Sequence, residues 1–471
     1  MNGLQSELSC GSLPSESSLT AVKSQDDGGL AVVRIKPLGA GGGGGEASAV
    51  AGSFAAVRVE DGGLSVWRGE AGASRKHGKL FSYPQHVIAP EHSQEQLYQM
   101  FMPQRVDAFL RGINVNIMAY GQTGSGKTHT MFGPPGLMAQ AAAGNFGSGP
   151  CSDYGLCPRA VLDVVSKLQL MQTGSRYELT ASAVEITIAE GNLDMFDKSR
   201  RSSSDAKVKG GGWGFSGAAG VSLDKTTKPA RLYGMTEVSL CGEDAIRALF
   251  SAIACRNTAG TELNDSSSRS HCFVFLNLYA FDPSAENLRV SRFQFADLAG
   301  SERLKDAHGQ SVSWSQSMGA MEGMFTNYSL MILSQRVREL VAARKRGKKA
   351  EALVEQSFKT QCDPDLLPLL GETLTGSALS LVVVCVSSAP DNATQSLNAL
   401  DFGEVFSRLS MNPKEVPSAL LQDIRKRSEE LVQSGQKYGC KLASDKWSII
   451  RSAQGRHGAQ MLKILAQLVE A

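Results

Sequence analysis

Short apolar runs alternate with stretches of helical spacing through most of the chain. The runs are rich in β-branched and aromatic residues, a pattern that predicts buried strands. The predicted strands are 30–36, 115–120, 180–188, 273–281, 293–296 and 379–386. The segment 94–110 has the spacing of a helix that leads into the second of these strands. This order predicts an α/β fold in which helices cover both faces of a central mixed β-sheet.

The two ends of the chain differ from this middle part. Residues 1–29 are polar and slightly acidic, which predicts a disordered N-terminal segment. After residue 410, the stretches 418–433 and 459–470 have the spacing of amphipathic helices, interrupted by glycines. No heptad pattern persists for the length that a coiled coil needs, so we expect these helices to pack on the main domain or on a partner. The predicted divisions are 1–29, 30–410 and 411–471.

The decapeptide AYGQTGSGKT, which begins at Ala119, contains a complete G-x-x-x-x-G-K-T pattern. Its glycines let the backbone curl so that successive amide N–H groups face a polyphosphate. In this pattern Lys127 reaches the β- and γ-phosphates, and the hydroxyl of Thr128 is suited to bind Mg²⁺. A chance Gly/Ser loop is the alternative, but a strand before the loop and a helix after it favour phosphate binding.

Three motifs in sequence order resemble the kinesin motor domain. The decapeptide, extended by HTM to Met131, resembles the kinesin phosphate loop. Asn264 followed by SSRSH at 267–271 resembles switch I, and DLAGSE at 297–302 resembles switch II. Weaker similarities are RIKP at 34–37, GLCPRA at 155–160 and the last motor helix at 397–409. The resemblance covers about 30–410, and it implies a P-loop NTPase fold of the kinesin motor type.

The resemblance implies ATP and Mg²⁺ as cofactors and assigns site residues to three groups. The nucleotide-binding group is Arg34, Pro37, Gly121, Gln122, Thr123, Gly124, Ser125, Gly126, Lys127, Thr128 and His129. The catalytic group is Ser267, Ser268, Arg269, Gly300 and Glu302. The metal group is Thr128, Ser268 and Asp297.

Positioning and charge stabilisation, rather than covalent chemistry, are what hydrolysis of a γ-phosphate requires. The hydroxyls of Ser267 and Ser268 can contact phosphate, metal or water, and the amide of Gly300 is open to the γ-phosphate. Asp297 ends an apolar strand and is expected to hold Mg²⁺ through water. The resemblance implies that Arg269 and Glu302 pair across the two switches; an ordinary surface ion pair is the alternative. His129 and Pro37 are expected beside the adenine.

Composition narrows the class of protein. Hydrophobic residues make up 42 % of the 471, enough for a substantial core, and the net charge is +2. The nine cysteines are scattered singly, which favours a reducing, intracellular environment. The longest apolar run is too short to span a bilayer and residues 1–29 lack a signal sequence, so we expect no membrane insertion. The Gly/Ser/Ala-rich stretches 41–45, 133–149 and 199–220 predict loops or insertions.

The side that faces the microtubule in kinesins departs from the family pattern. Where kinesins have an arginine and a lysine at the start of a helix, this chain has Cys362 and Asp365. A carboxylate there repels the acidic surface of tubulin. Tyr328 replaces another basic residue, and the segment after Glu302 is lengthened. The basic run RKRGKK at 344–349 could contact tubulin, or be a solvated loop, a sorting signal or a nucleic-acid patch.

Two functions follow as hypotheses. The first is an ATP-dependent microtubule motor, cytoplasmic and associated with the cytoskeleton, with no nucleic-acid partner. MNPKEV at 411–416 loosely resembles the connector that follows kinesin motors. The second is a divergent nucleotide-binding adaptor or regulator with weak or no microtubule-stimulated activity. A P-loop enzyme that acts on small molecules has little support, since nothing beyond the switches indicates a substrate pocket.

Overall fold

A mixed β-sheet of ten strands forms the centre of the protein. The computed structural model describes residues 29–37, 57–60, 63–66, 79–83, 86–144, 151–171, 174–186, 192–197, 221–224, 231–258, 270–302, 318–346, 365–439 and 446–470. The strands are β1 Leu30–Lys36, β2 Val57–Glu60, β3 Gly63–Val66, β4 Lys79–Phe81, β5 Val87–Ile88, β6 Val115–Tyr120, β7 Arg176–Ile186, β8 Asn192–Asp194, β9 Ser222–Asp224, β10 Arg231–Tyr233, β11 Val238–Ser239, β12 His271–Asp282, β13 Asn287–Asp297, β14 Leu379–Ser387 and β15 Ala419–Leu420.

The strand order of the main sheet is β11-β7-β12-β13-β6-β14-β1-β5, with β8 paired to β7 and β15 paired to β13. The half from β13 to β5 is parallel, whereas β11, β7, β12 and β13 pair antiparallel. Parallel strands end at the same edge of the sheet, so the carboxyl ends of β6, β13 and β14 meet there. That edge carries the phosphate loop after β6 and the DLAGSE segment after β13.

Helices connect and cover these strands. They are α1 Gln94–Phe101, α2 Pro103–Leu110, α3 Lys127–Phe132, α4 Leu137–Ala143, α5 Leu156–Leu170, α6 Glu243–Thr258, α7 Met318–Lys345, α8 Leu366–Leu369, α9 Gly371–Thr375, α10 Ala393–Phe406, α11 Leu421–Gly439 and α12 Lys446–Glu470. A 3₁₀ turn at Pro390–Asn392 precedes α10.

Alternation along the strands builds two cores, one on each face of the sheet. In β14, Leu381, Val383 and Cys385 point into the core formed with α1 to α6. The intervening Val382 and Val384 point into the core formed with α7 to α10. Because both faces are covered, the parallel strands are continuously apolar, as the sequence pattern indicates. The predicted fold class, a central mixed sheet flanked by helices on both faces, is confirmed.

Some predicted elements differ from the observed ones. The helix predicted at 94–110 is two helices, because Pro103 begins a new one directly after Met102. The stretch 133–149, predicted as a loop, contains α4. The helices predicted at 418–433 and 459–470 are longer than expected, and the glycines of α11 and α12 lie within them. Of the predicted disordered segment 1–29, residues 1–28 lie outside the described residues, as do the predicted loops 41–45 and 199–220.

Candidate nucleotide site

The phosphate loop connects the buried strand β6 to helix α3 at the carboxyl edge of the sheet. A side chain on Gly121 could not fit, because its Cβ would lie 2.2 Å from the carbonyl oxygen of Cys385. Within the loop, Nζ of Lys127 donates to the carbonyl oxygen of Gln122 at 2.7 Å. Burial lowers the pKa of Lys127, and the carboxylates of Asp297 and Glu302 oppose that shift. The loop thus holds a buried cation among inward-facing backbone groups, an arrangement suited to an anionic ligand.

One flank of the loop is organised by a chain of hydrogen bonds. Arg34 on β1 donates to Oε1 of Gln94 at 2.7 Å and to the hydroxyl of Thr130 at 2.9 Å. Nε2 of Gln94 then donates to Nδ1 of His129 at 3.1 Å, which fixes the imidazole beside the loop. Burial lowers the pKa of His129, and the neighbouring Arg34 lowers it further. Pro37, at the end of β1, is exposed.

The metal-binding residues predicted on β13 and α3 lie together. The hydroxyl of Thr128 donates to Oδ2 of Asp297 at 2.7 Å, and the guanidinium of Arg256 on α6 bonds the same oxygen. Asp297 is completely buried, and its Oδ1 has no hydrogen-bond partner among the described residues. A buried carboxylate oxygen without a partner beside a threonine hydroxyl fits a hydrated Mg²⁺, whose ligands are oxygens. The oxygen donors present here therefore suit that ion.

Arg256 belongs to a buried charged network that the sequence did not reveal. It also donates to the carbonyl oxygen of Ser270 at 2.9 Å, and it lies 3.9 Å from Oε1 of Glu185. Burial acts to lower the pKa of Arg256, but the carboxylates of Asp297 and Glu185 outweigh it and raise the value. Glu185 accepts the hydroxyl of Ser270 at 2.6 Å. This network connects α6, β7 and the end of β13, and it contacts Asp297, one of the predicted metal residues.

Switch II is bonded to the phosphate loop. Oε2 of Glu302 accepts the backbone N–H of Thr123 at 2.7 Å, and its Oε1 accepts the Thr123 hydroxyl. The N–H of Ser301 donates to the carbonyl oxygen of Gly121 at 3.1 Å. A Cβ on Gly300 would lie 2.2 Å from the hydroxyl oxygen of Thr123, so only glycine permits this approach. Nucleotide-binding and switch residues that are far apart in sequence are therefore in direct contact.

His271 joins both switches to the long helix α7. Its Nδ1 accepts the backbone N–H of Ala299 at 3.2 Å, so the proton is on Nε2, which donates to the hydroxyl of Ser329 at 2.9 Å. Burial, with Arg256 and Lys127, lowers the pKa of His271 to about 3. The imidazole is therefore neutral at physiological pH. A change in either switch is in position to reach α7 through this residue.

The predicted switch I residues Ser267, Ser268 and Arg269 lie outside the described residues, so their predicted roles stay predictions. The structure brings together Lys127, Thr128, Asp297, Gly300 and Glu302 at one edge of the sheet. Sequence reasoning missed Gln94 and Arg256 as site residues, because a polar residue at a helix start and an arginine on an amphipathic helix are usually exposed. It included His271 in the switch I motif but gave this residue no role. Among the described residues, no group of three or more His, Cys, Asp or Glu side chains lies close enough to hold a metal ion by itself.

A continuous exposed stripe runs along α7. It consists of Tyr328, Met331, Gln335, Arg338, Ala342 and Lys345, whose spacing places them on one helix face. Arg344, Lys345 and Arg346 of the predicted basic run are exposed at its end; residues 347–349 and Cys362 lie outside the described part. Oδ2 of Asp365, at the start of α8, accepts Nδ2 of Asn192 at 3.2 Å. Among the described residues, no helix is both long and apolar enough to cross a bilayer.

Comparisons with known proteins agree with these observations. Residues 62–409 match the family model of the kinesin motor domain. The chain is 26% identical over 344 residues to kinesin-like protein KIN-1 of Oryza sativa subsp. japonica, covering 73% of this chain and 62% of that protein. It is 27% identical over 359 residues to chromosome-associated kinesin KIF4 of Gallus gallus, covering 74% of this chain and 25% of that protein. The chain therefore spans less than two thirds of either relative.

A solved structure described as "Structure of a fast kinesin: Implications for ATPase mechanism and interactions with microtubules" has a similar fold. The TM-score is 0.59 at 19% identity, covering 84% of this chain and 95% of that one. At this identity the likeness concerns the fold alone. It agrees with the mixed sheet and the two helical layers described above.

Proposed function

The chain belongs to the kinesin motor-domain family, and on that premise we propose that it is a Mg²⁺-dependent ATPase whose switch movements change its binding to microtubules. The observation that carries this proposal is the contact of Glu302 with Thr123, which links switch II to the phosphate loop. A γ-phosphate bound at such a loop can be sensed by a neighbouring switch segment. The motor belongs to residues 30–410 in this proposal, followed by a connector and the helices α11 and α12.

Within this proposal, Lys127 and the loop amides hold the phosphates of ATP, while Arg34, Gln94 and His129 shape the adenine side. Thr128 and Asp297, with Ser268 of switch I, would hold Mg²⁺. The ion would neutralise charge on the β- and γ-phosphates. Arg256 fixes the orientation of Asp297, since its guanidinium bonds the oxygen that also accepts from Thr128.

Turnover requires the attacking water to be oriented at the γ-phosphate. We assign the orientation of this water to Glu302, Ser267 and Arg269. Glu302 would first leave Thr123 and pair with Arg269. The amide of Gly300 would bond the γ-phosphate as switch II rearranges. His271 carries the rearrangement from Ala299 to Ser329 on α7. The exposed stripe of α7 is the surface proposed to bind tubulin and to respond to nucleotide.

The charge of the surface formed by α7 and the start of α8 favours the adaptor hypothesis as a second candidate. Asp365, half-buried at the start of α8, carries a carboxylate that accepts from Asn192, and the exposed stripe of α7 begins with the uncharged Tyr328 and Met331. An acidic track attracts cations, so this face has less electrostatic attraction to offer than a basic one. Arg338 and the exposed cations 344–346 act in the opposite direction. The family relationship favours the motor over the adaptor.

Steady-state ATP turnover with and without polymerised microtubules, at low salt, tests the proposal. Strong stimulation is the expected result, because the cations at the end of α7 act over roughly a Debye length at low salt. Turnover that microtubules do not change would contradict the coupling. Co-sedimentation with microtubules, in a non-hydrolysable ATP analogue and in ADP, separates the two candidates. Nucleotide-dependent pelleting supports the motor, whereas nucleotide-independent or absent pelleting supports the adaptor. A microtubule-associated, cytoskeletal location follows from the motor proposal.

A further inference from the structure

The helices α11 and α12 form an antiparallel pair that lies against the main domain. The earlier residue Ser428 approaches Gly458, while the later Gly435 approaches Gly455, which fixes the antiparallel direction. A Cβ on Gly435 would lie 2.6 Å from the Cα of Gly455, so the two backbones touch. Glycine inside a helix lowers helix stability relative to alanine, but here it permits the two helices to pack closely. The two helices therefore pack directly against each other as one structural unit.

A separate hydrophobic cluster attaches this pair to the tip of the β12–β13 hairpin. Tyr279, Phe281 and Leu288 come from the hairpin, and Ile464, Leu465 and Leu468 come from α12. All of them are buried, with Leu465 only 1% exposed. Burial of apolar side chains is the main favourable contribution to packing, so this cluster is a substantial attachment.

Polar contacts fix α12 at its C-terminal end and within its first half. Arg176 on β7 donates to the carbonyl oxygens of Leu468 and Val469 at 3.1 and 2.7 Å, which satisfies the end of the helix. Within the first half, Gln454 donates to Oδ2 of Asp224 on β9 at 2.9 Å. The helix thus spans from the β9–β10 ribbon to the outer end of β7.

The connector, defined as residues 411–420, begins at Met411, which packs on the core formed with α7 to α10. Beyond Met411 it is held by weaker contacts, among them an exposed ion pair of Glu415 with Arg289 of β13 at 2.8 Å. Backbone N–H groups of Asn412, Val416 and Leu421 donate to Gly376, Gly112 and Glu286, at 2.8, 2.8 and 2.9 Å. Its strand β15 has only two residues, both exposed, paired with Leu288 and Asn287 of β13. A two-residue strand with exposed hydrogen bonds is marginal by itself. The connector's position needs support from elsewhere.

We propose that the α11–α12 pair is a clasp that holds the connector against β13, so that the connector is bound by default and is released when the pair is displaced. β15 continues directly into α11, and Leu288 both pairs with β15 and belongs to the α12 cluster. Anchoring one end of a tethered segment raises the effective concentration of the rest at its binding edge. The clasp itself is independent of ATP; its regulatory meaning rests on the proposed function, in which the connector directly follows the motor.

Hydrogen exchange of the full chain, without nucleotide or microtubules, tests this proposal. Leu465→Asp places a charge in the buried cluster, and Val469→Asp makes the same change at a position 39% exposed on the same helix. We expect Leu465→Asp to speed exchange at least about tenfold in both α12 and the connector amides of Asn412 and Val416. Val469→Asp is expected to match the unmodified chain. Amides of β6 report whether the central sheet remains folded.

If Leu465→Asp speeds hydrogen exchange in α12 but leaves the protection of the connector amides unchanged, the clasp proposal is wrong. Should Leu465→Asp also expose β6, Leu468→Ala provides a milder release, and the same comparison of α12 with the connector decides. Loss of protection in both segments at once supports the clasp; protection lost in α12 alone overturns it. Because no nucleotide or track is present, the result does not depend on whether the chain is a microtubule-stimulated ATPase.

Discussion

The carboxylate of Glu302 lies on the phosphate loop, where its Oε2 accepts the backbone N–H of Thr123 at 2.7 Å. The two residues belong to segments that respond to the same phosphate in the proposed mechanism. For Glu302 to orient water with Arg269, it has to leave Thr123. In the proposed mechanism the contact is one position of a switch, and the pairing with Arg269 is the other.

Glu302→Gln tests the role of this carboxylate. The amide retains the shape of the side chain and can accept one hydrogen bond from Thr123, but it cannot pair with a guanidinium as an anion. We expect kcat to fall by about 10²-fold or more, the range for loss of a group that assists proton transfer, with ATP affinity changed only slightly. Single-turnover kinetics and nucleotide titration measure the two quantities, and Thr123→Ser, which keeps the hydroxyl, is the matched control. Unaltered kcat in Glu302→Gln would remove Glu302 from the mechanism.

Arg256→Leu tests the buried network beneath the metal residues. Removing one partner of a buried ion pair leaves the other charge uncompensated, which costs about 3–5 kcal/mol. We expect that loss in the free energy of unfolding by chemical denaturation, together with weaker Mg²⁺-dependent nucleotide binding. Arg247→Leu on the same helix is the control, because its partner Glu243 is 63% exposed and such pairs contribute about 1 kcal/mol or less. If both variants lost the same free energy of unfolding, the buried Arg256 network would contribute no more than an exposed ion pair.

His271 predicts a pH dependence of stability. Its folded pKa is about 3, against an unfolded value near 6.5, so the unfolded chain binds more protons at acidic pH. The stabilisation from neutral His271 is complete above pH ~6.5 and is lost as the pH falls towards 3. Between pH 7 and pH 5 this group alone should remove about 2 kcal/mol from the free energy of unfolding. His271→Gln should flatten that part of the profile, and an unchanged slope in this variant would refute the assignment.

Asp365→Lys tests the acidic start of α8. Replacing a carboxylate by an ammonium there should turn repulsion from tubulin into attraction, and microtubule affinity at low salt should rise several-fold. Co-sedimentation at two salt concentrations measures this effect, which should shrink as salt increases. The control is Asp244→Lys, an exposed acidic residue on α6, which packs on the opposite face of the sheet. If both variants gained affinity equally, net charge rather than this surface would be responsible.

Local sequence was sufficient to predict the phosphate loop, β6 and the position of Asp297 at a strand end. In each case the signal lies within about ten residues, where glycine spacing and apolar runs dictate the backbone. For the same reason, the predicted limits of β1, β6 and β14 lie within a residue of the observed ones. The similarity of the motifs to kinesins then implied the fold, which the structure confirms.

The contacts of Arg256, Gln94 and His271 could not be predicted, because each partner comes from a distant segment. Arg256 meets Asp297 only after α6 packs beneath the sheet, and Gln94 meets His129 only when α1 lies beside α3. The glycines of α11 and α12 led to the wrong prediction that they interrupt these helices, and the reason is different. They lower helix propensity locally, but tertiary packing between the two backbones overrides that cost.

Steady-state ATP turnover of Lys127→Ala tests the central claim most directly. The lysine is 7% exposed and lies within the loop proposed to hold the phosphates, so its loss should abolish turnover while the fold persists. Lys167→Ala, which removes a half-exposed lysine that pairs with Asp107, should leave turnover unchanged. Circular dichroism and thermal unfolding would establish that both variants are folded. Turnover of a folded Lys127→Ala protein at the level of the unmodified chain would contradict the assignment of this loop as the ATPase site.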